Sequence, residues 1–238
     1  MIESHLAYIQ RASKNGEKLL AILLDPDKTT LDELPEVAQK IARLRAHFIF
    51  VGGSFVKNNT TAFFVKTLKE HTEIPVILFP GDYSQVTDYA DALLFLSLLS
   101  GRNPEYLIEQ QIKSVPYLKN STLEIIPTGY ILIDGGTQSS VLKISNTTPI
   151  PQENIELAVA TAVAGMYKGK QLIYLEAGSG AKKPVNSNLI AKVKENINIP
   201  LFVGGGIKSR EQLQSAYESG ADLVIIGTAF EEKYALLK

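Results

Sequence analysis

Eight short apolar runs, separated by longer segments of helical periodicity, dominate the sequence. Each run is continuously apolar rather than alternating, which is typical of parallel strands covered by helices on both faces. Each run ends at, or is followed within two residues by, Gly, Asp, Ser or Pro, as is common where strands pass into turns. The predicted strands are 19–25, 48–52, 76–79, 92–98, 124–133, 172–176, 201–203 and 223–226.

Six of the intervening segments carry apolar residues at helical spacings. Thr30 and Ser209 each precede such a segment and suit the N-cap position, while Gly220 suits a helix end. Only residues 81–91 separate the third and fourth predicted strands, and this is too short for a full barrel helix. We predict that the third helix is short or replaced by irregular structure. The predicted helices are 31–44, 59–71, 104–118, 152–168, 188–196 and 209–219.

This alternation favours an α/β fold in which a (β/α)8 TIM barrel forms one domain over residues 1–238. The 238 residues, 45% of them hydrophobic, suit a single domain of this kind. An open doubly wound sheet is the alternative, but it normally needs fewer strands. It also lacks support from the first strand, which runs into LLDPDK rather than into a Gly-x-Gly-x-x-Gly turn.

Composition excludes several classes of function. The formal net charge is -1, so no basic field exists to attract nucleic acid. The chain has no cysteine, which removes disulfides, thiolate metal sites and cysteine nucleophiles. No apolar run approaches the roughly 18 residues of a membrane span, and the N-terminus does not resemble a signal peptide. We expect a cytoplasmic protein without a transmembrane segment.

Three glycine-rich turns follow the last three predicted strands: EAGSGA at 176–181, VGGGIKS at 203–209 and IIGTAF at 225–230. Glycines allow the backbone to approach a phosphate closely, and barrels frequently bind phosphate beside strands seven and eight. Tight turns selected for packing remain the alternative. The candidate phosphate residues here are Gly204, Gly205, Gly206, Gly227 and Thr228.

Asp25 ends the first predicted strand, and Pro26 prevents that strand from continuing. The Asp25 carboxylate is a candidate general base, Schiff-base partner or ligand of a hard cation such as Mg²⁺. Asp27 is a weaker candidate, because an Asx turn or a helix cap explains it at least as well as a functional role does. Ser54, in VGGSFV after strand two, places a hydroxyl near the same mouth. Asp25 and Ser54 together suggest a cation held over a diphosphate, while the glycine-rich turns hold a second phosphate. This division suggests two phosphorylated substrates.

Glu176 ends strand six beside the predicted phosphate site. Because like charges repel, we expect its carboxylate to meet a substrate hydroxyl, as a general base or an orienting group. An ion pair with Lys182 or Lys183 is the alternative. Tyr130 and Tyr174 are candidates for hydroxyl contacts, although tyrosines in strands commonly pack in the core.

Seven motifs, in this order and over nearly the whole chain, resemble the geranylgeranylglyceryl phosphate synthase family. The combination of LDPDK at strand one with YLEAGSGA at strand six is specific, whereas single glycine motifs occur in many phosphate-binding barrels. The motifs are LLDPDK, VGGS, LFPG, LSLLSGRNP, YLEAGSGA, VGGGIKS and ADLVIIGTAFE.

The resemblance implies an Mg²⁺-dependent prenyltransferase of ether phospholipid biosynthesis. Such an enzyme joins sn-glycerol 1-phosphate to geranylgeranyl diphosphate, or a similar long polyprenyl diphosphate, and releases diphosphate. The resemblance also implies a barrel without a regular third helix and assembly into homodimers or homohexamers. It places the magnesium ligands at Asp25 and Ser54. It places the glycerol 1-phosphate site at Tyr174, Leu175, Glu176, Ala177, Gly178, Ser179, Gly180, Gly204, Gly205, Gly206, Ile226, Gly227 and Thr228.

Two positions depart from the pattern of some relatives. Heptaprenyl-type relatives carry Lys where this chain has Leu23, which favours the geranylgeranyl-type group, and some members have Asn in place of Thr228. A prenyl tail needs an apolar groove, for which Phe79, Leu96, Leu98 and Tyr106 are candidates, although packing in the core explains these side chains equally well.

Two other functions stay open from the sequence. One is an isomerase or synthase acting on a small sugar or heterocycle phosphate, and the other is a non-catalytic phosphate-binding barrel.

Overall fold

Eight parallel strands close into a barrel in the computed structural model, which describes residues 3–56 and 60–231. Each strand pairs with the next in chain order, and the eighth pairs with the first, Leu19 opposite Leu223. The predicted TIM barrel is therefore confirmed. The strands are β1 (Leu19–Leu24), β2 (Phe48–Val51), β3 (Val76–Leu78), β4 (Ala92–Leu98), β5 (Glu124–Leu132), β6 (Leu172–Glu176), β7 (Leu201–Gly204) and β8 (Leu223–Ile226).

Helices cover the outside of the barrel, and each of the six predicted segments overlaps one. The predicted segment 59–71 begins at a residue outside the described part of the chain. Three further helices, α1, α5 and α9, escaped prediction. The helices are α1 (His5–Asn15), α2 (Leu34–Arg43), α3 (Thr61–Lys69), α4 (Gln110–Leu118), α5 (Ser140–Ser145), α6 (Ile155–Tyr167), α7 (Ser187–Asn196), α8 (Arg210–Glu218) and α9 (Thr228–Glu231). Within the described ranges, no helix is long and apolar enough to cross a membrane.

Between β3 and β4 the chain forms only a single 3₁₀ turn, Tyr83–Gln85. The side chain of Asp82 begins this turn by accepting the N–H of Ser84 at 2.7 Å. The prediction that a regular helix is absent here is confirmed. This side of the barrel therefore lacks the usual helical cover.

The alternation of strand side chains separates two apolar layers. Leu19, Ala21 and Leu23 of β1 pack inside the barrel, whereas Ile22 and Leu24 pack against the outer helices. Because side chains alternate with a period of two, the residue after the inward series on β1 is Asp25. The same alternation on β6, where Leu172 and Tyr174 face inward, directs Glu176 into the mouth of the barrel.

Carboxylates at the opposite, N-terminal end of the barrel bind backbone groups. Asp222 accepts the N–H of Leu201 at 2.7 Å and pairs with Lys194 Nζ at 2.6 Å, and Asp91 accepts the N–H of Val76 at 2.7 Å. Glu124 binds the first N–H groups of α1, which packs under the barrel interior. These acidic groups join neighbouring elements and so stabilise the fold.

We predict that replacing Asp222 destabilises the protein without touching the cavity at the other end. Asp222 is 3% exposed, so Asp222→Ala leaves the Leu201 N–H unpaired and should cost about 2–4 kcal/mol in the free energy of unfolding. Urea unfolding measures this loss. Asp25→Asn at the C-terminal end is the matched control and should change stability by less than about 1 kcal/mol. Equal losses in the two variants would contradict this division between the ends.

Candidate active site

A cavity of about 220 Å³ opens at the C-terminal ends of the strands. It collects side chains and turns from β1, β2, β6, β7 and β8, which are far apart in sequence. Most of the predicted site residues meet here. Those that line it are Asp25, Ser54, Tyr174, Glu176, Gly178, Ser179, Gly180, Gly205, Gly206, Ile226, Gly227 and Thr228.

Three predicted residues do not line this cavity. Leu175 and Ala177 point away from the barrel axis and are buried in the outer apolar layer. Gly204 lies behind Tyr174 and Glu176, and a Cβ there would be 2.4 Å from the Tyr174 hydroxyl. Gly204 thus makes room for other site residues, and the side chains of Leu175 and Ala177 contribute to the core.

Glu176 is a buried carboxylate held in one orientation by two donors. Its Oε1 accepts the N–H of Gly178 at 2.7 Å, and its Oε2 accepts the hydroxyl of Tyr174 at 2.6 Å. Only 6% of the residue is exposed, and this burial raises the pKa of the carboxyl group, although both donors oppose the rise. Tyr174 and Gly178 are therefore the partners of Glu176, and within the described residues Glu176 forms no ion pair with Lys182 or Lys183. A carboxylate with a raised pKa suits proton abstraction.

Tyr174 belongs to the core and to the site at once. Its ring packs edge-to-face on Tyr130 with centroids 5.3 Å apart, and lies 5.4 Å from the ring of Phe79. Burial, followed by the nearby Glu176 charge, raises the pKa of both tyrosines well above the ordinary value. Tyr174 therefore stays protonated and donates to Glu176.

The turn after β7 leaves space for the Glu176 carboxylate. Gly205 has a φ of +81°, and a Cβ at this position would lie 2.4 Å from Glu176 Oε1. Gly206 has a φ of +73° and packs against the backbone of Lys183 and Pro184. Both glycines are required by their backbone conformation, and Gly205 is required also by the buried carboxylate beside it.

Asp25 lies on the opposite rim of the same cavity. Its Oδ1 accepts the N–H of Asp27 at 3.0 Å, which forms an Asx turn, and its Oδ2 lies 3.8 Å from Lys28 Nζ. Burial raises the pKa of Asp25, and the Asp27 N–H and Lys28 oppose that rise. A Cβ on Gly53 would be 3.1 Å from Asp25 Oδ1, so the turn that carries Ser54 passes directly beside the carboxylate.

The donor set fits a magnesium ion that is completed by substrate. Within residues 3–56 and 60–231, no group of three or more His, Cys, Asp or Glu side chains is placed to hold a metal alone. Mg²⁺ is commonly bound by one or two carboxylates together with water and substrate phosphates. Asp25, with the Ser54 hydroxyl on the same rim, meets that requirement.

A second, apolar cavity adjoins the first on the side without a regular helix. The four predicted groove residues, Phe79, Leu96, Leu98 and Tyr106, line it. The two cavities share six residues at their junction: Gly53, Ser54, Phe79, Tyr130, Val141 and Ile144. A molecule with a polar head and an apolar tail can therefore lie across both.

Sequence reasoning missed several residues of the polar cavity. Lys28 and Lys208 line it and bring positive charge to a site predicted to bind phosphates. Their signal was present, because each lies inside a motif that follows a strand end, LLDPDK and VGGGIKS. Val141 and Ile144 of α5 also line the cavity, but this six-residue helix is too short to show a periodic pattern.

Comparison with known proteins agrees with the geometry. The PcrB family profile matches residues 14–237. The chain is 54% identical over 223 residues to a geranylgeranylglyceryl phosphate synthase from Flavobacterium johnsoniae, which covers 94% of this chain and 92% of the relative. It is 56% identical to one from Zunongwangia profunda, with 94% and 95% covered.

A solved structure shares the whole fold. It is (S)-3-O-geranylgeranylglyceryl phosphate synthase from Thermoplasma acidophilum in complex with sn-glycerol-1-phosphate, with a TM-score of 0.92 and 32% identity. The match covers 99% of this chain and 94% of that one. The chain therefore belongs to the PcrB family, together with the geranylgeranylglyceryl phosphate synthases.

Proposed function

We propose that the chain joins sn-glycerol 1-phosphate to geranylgeranyl diphosphate, or a similar long polyprenyl diphosphate, through an ether bond. It is a prenyltransferase of ether phospholipid biosynthesis. The observation that carries the choice of substrates is the junction of a polar and an apolar cavity at Gly53 and Ser54. A prenyl diphosphate has the matching division between a charged head and an apolar tail.

The turns after β6, β7 and β8 are proposed to bind glycerol 1-phosphate. The hydroxyls of Ser179 and Thr228 lie 3.2 Å apart and bridge two of these turns. With Lys208, they provide donors and positive charge around a phosphate on this side of the cavity. The relative from Thermoplasma acidophilum binds sn-glycerol 1-phosphate in a barrel of the same fold, which supports this assignment.

Asp25 and Ser54 are proposed to hold Mg²⁺. When bound, the ion neutralises the diphosphate leaving group and assists its departure from the allylic carbon. Lys28, also on this rim, adds positive charge near the same group. The diphosphate thus occupies the rim opposite the glycerol phosphate.

Glu176 is proposed to act on the free primary hydroxyl of glycerol 1-phosphate. The hydroxyl oxygen forms a bond to the first carbon of the prenyl chain, the bond from that carbon to the diphosphate oxygen breaks, and diphosphate leaves with the electron pair. The hydroxyl proton passes to Glu176. Tyr174 and Gly178 fix the carboxylate in place, and such positioning can contribute several kcal/mol of barrier reduction.

The other two functions considered from sequence explain less of the structure. An enzyme for a small sugar or heterocycle phosphate has no need of the apolar cavity that opens beside the polar one. A non-catalytic phosphate-binding barrel has no need of Glu176, whose burial beside a ligand cavity costs desolvation energy.

We also propose that residues 1–238 form one domain and that the protein assembles into a homodimer or homohexamer in the cytoplasm. Assembly is supported by Ile108, Ile112 and Val115, each of which is about half exposed. They lie on one face of the helical segment 105–118, in which a π-helical turn, Glu105–Glu109, continues into α4. Multi-angle light scattering of the purified chain measures the oligomeric state.

The proposed reaction predicts a product soluble in organic solvent. Purified protein, labelled glycerol 1-phosphate and prenyl diphosphates of increasing length should give labelled ether only with Mg²⁺ present. Chelation of the metal should remove the activity, and re-addition of Mg²⁺ should restore it. Absence of product with every prenyl diphosphate would contradict the proposal.

We predict that Glu176→Gln lowers the rate of ether formation by about 10²- to 10⁴-fold. The amide cannot take the proton, yet its oxygen still accepts the Gly178 N–H and its nitrogen can donate to Tyr174. Because the pKa of Glu176 is raised by burial, the ionised group destabilises the fold at neutral pH. The variant should therefore unfold at the same temperature as the wild type or higher, as calorimetry would show.

Asp25→Asn is the companion variant and should abolish activity through loss of the metal. Full activity in either purified variant would refute its assigned role.

A further inference from the structure

The backbone of Gly53 is held by one buried side chain. Gln85, at the end of the 3₁₀ turn Tyr83–Gln85, is 2% exposed. Its Nε2 donates to the carbonyl oxygen of Gly53 at 2.8 Å, and its Oε1 accepts the N–H of Gly53 at 3.3 Å. A single amide thus binds both backbone polar groups of the residue next to Ser54.

This arrangement replaces the support that a strand would give. The strand β2 ends at Val51, and Gly52 donates its N–H to Leu24 O at 3.1 Å. Gly53 lies beyond the paired residues of β2, in the turn 52–54 that passes beside Asp25. Buried backbone groups need partners, and the amide of Gln85 satisfies both groups of Gly53 as an adjacent strand otherwise would.

The same segment also builds a wall of the apolar cavity. Phe79, Tyr83 and Val86 line that cavity. Gly81, between them, presses against the turn 52–54: a Cβ on Gly81 would lie 2.3 Å from Gly53 O and 2.6 Å from Ser54 O. Residues 79–86 therefore shape both the apolar cavity and the turn that presents Ser54 to the polar cavity.

We propose that Gln85 is a positioning residue for the magnesium-bound diphosphate of the prenyl substrate. Through its two hydrogen bonds to Gly53, it holds Ser54 beside Asp25 at the junction of the two cavities. Gln85 lines neither cavity and touches no substrate, so its effect is transmitted by the turn. This inference rests on the proposed function, since it assumes that Asp25 and Ser54 hold the metal.

Gln85→Met tests the proposal because methionine has a similar length but makes neither hydrogen bond. We expect the Mg²⁺ concentration for half-maximal rate and the KM for geranylgeranyl diphosphate to rise about tenfold. The KM for glycerol 1-phosphate should change by less than about twofold, because its proposed site lies on the other rim. Gly81→Ala, which displaces the same turn by steric contact, should raise the same two values.

Gln152→Met is the matched control. Gln152 also uses its amide to hold backbone, donating to Asp134 O at 2.9 Å and to Pro184 O at 3.0 Å, but it has no contact with the turn 52–54. Because Gln152 is partly exposed and Gln85 is buried, Gln152→Met should lower thermal stability no more than Gln85→Met does. Its Mg²⁺ dependence should equal that of the wild type.

A binding measurement separates positioning from catalysis. Titration calorimetry with Mg²⁺ and geranylgeranyl thiodiphosphate, a diphosphate analogue that resists transfer, should show about tenfold weaker binding in Gln85→Met. Binding in Gln152→Met should be unchanged. Wild-type binding and Mg²⁺ dependence in Gln85→Met, or an equal rise of both KM values, would overturn the positioning role. If the wild type forms no ether at all, the proposed function itself fails.

Discussion

The burial of the Glu176 carboxylate is the constraint on which the C-terminal end of the barrel depends. A charged group in this environment needs donors, and Tyr174 and Gly178 supply them. It also needs space, because a side chain at Gly204 or Gly205 would come within 2.4 Å of the Tyr174 hydroxyl or of the carboxylate. The glycine-rich turn after β7 is thus imposed by the buried carboxylate as much as by any phosphate.

Acidic residues have different roles at the two ends of the barrel. Asp91, Asp222 and Glu124 bind backbone N–H groups at the N-terminal end and join neighbouring elements. Asp25 and Glu176, at the C-terminal end, both have a pKa raised by burial. The carboxylates that stabilise the fold and those proposed for catalysis therefore lie at opposite ends of the barrel, as is general for this fold. The irregular segment after β3 departs from that division, because Gln85 holds the backbone of Gly53 and is also proposed to position Ser54.

The strands could be predicted from sequence because most of them are continuous apolar runs; β5 is the exception, since it contains Glu124, Pro127 and Thr128. The predicted strand ends placed Asp25 and Glu176 in the mouth of the barrel. The short segment between β3 and β4 predicted that a regular helix is absent there. Two residues of the motif at strand six were placed in the site wrongly. Leu175 and Ala177 belong to that motif, but the alternation of side chains along β6 directs them outward into the core. Gly204 points inward but supports Tyr174 and Glu176 from behind. Helix α1 escaped prediction because it precedes β1 and so lies outside the alternation of strands and helices from which the other helices were predicted.

The central claim is that Glu176, held by Tyr174, is the base that accepts the hydroxyl proton. The pH dependence of kcat/KM in the wild type and in Tyr174→Phe tests it most directly. The Tyr174 hydroxyl lowers the pKa of Glu176 against the rise caused by burial, so its removal should raise that pKa further. Since the protonated carboxyl cannot act as a base, the acid limb of the profile should move to higher pH in Tyr174→Phe. An acid limb at the same pH in both proteins would contradict the assignment of Glu176 as the base.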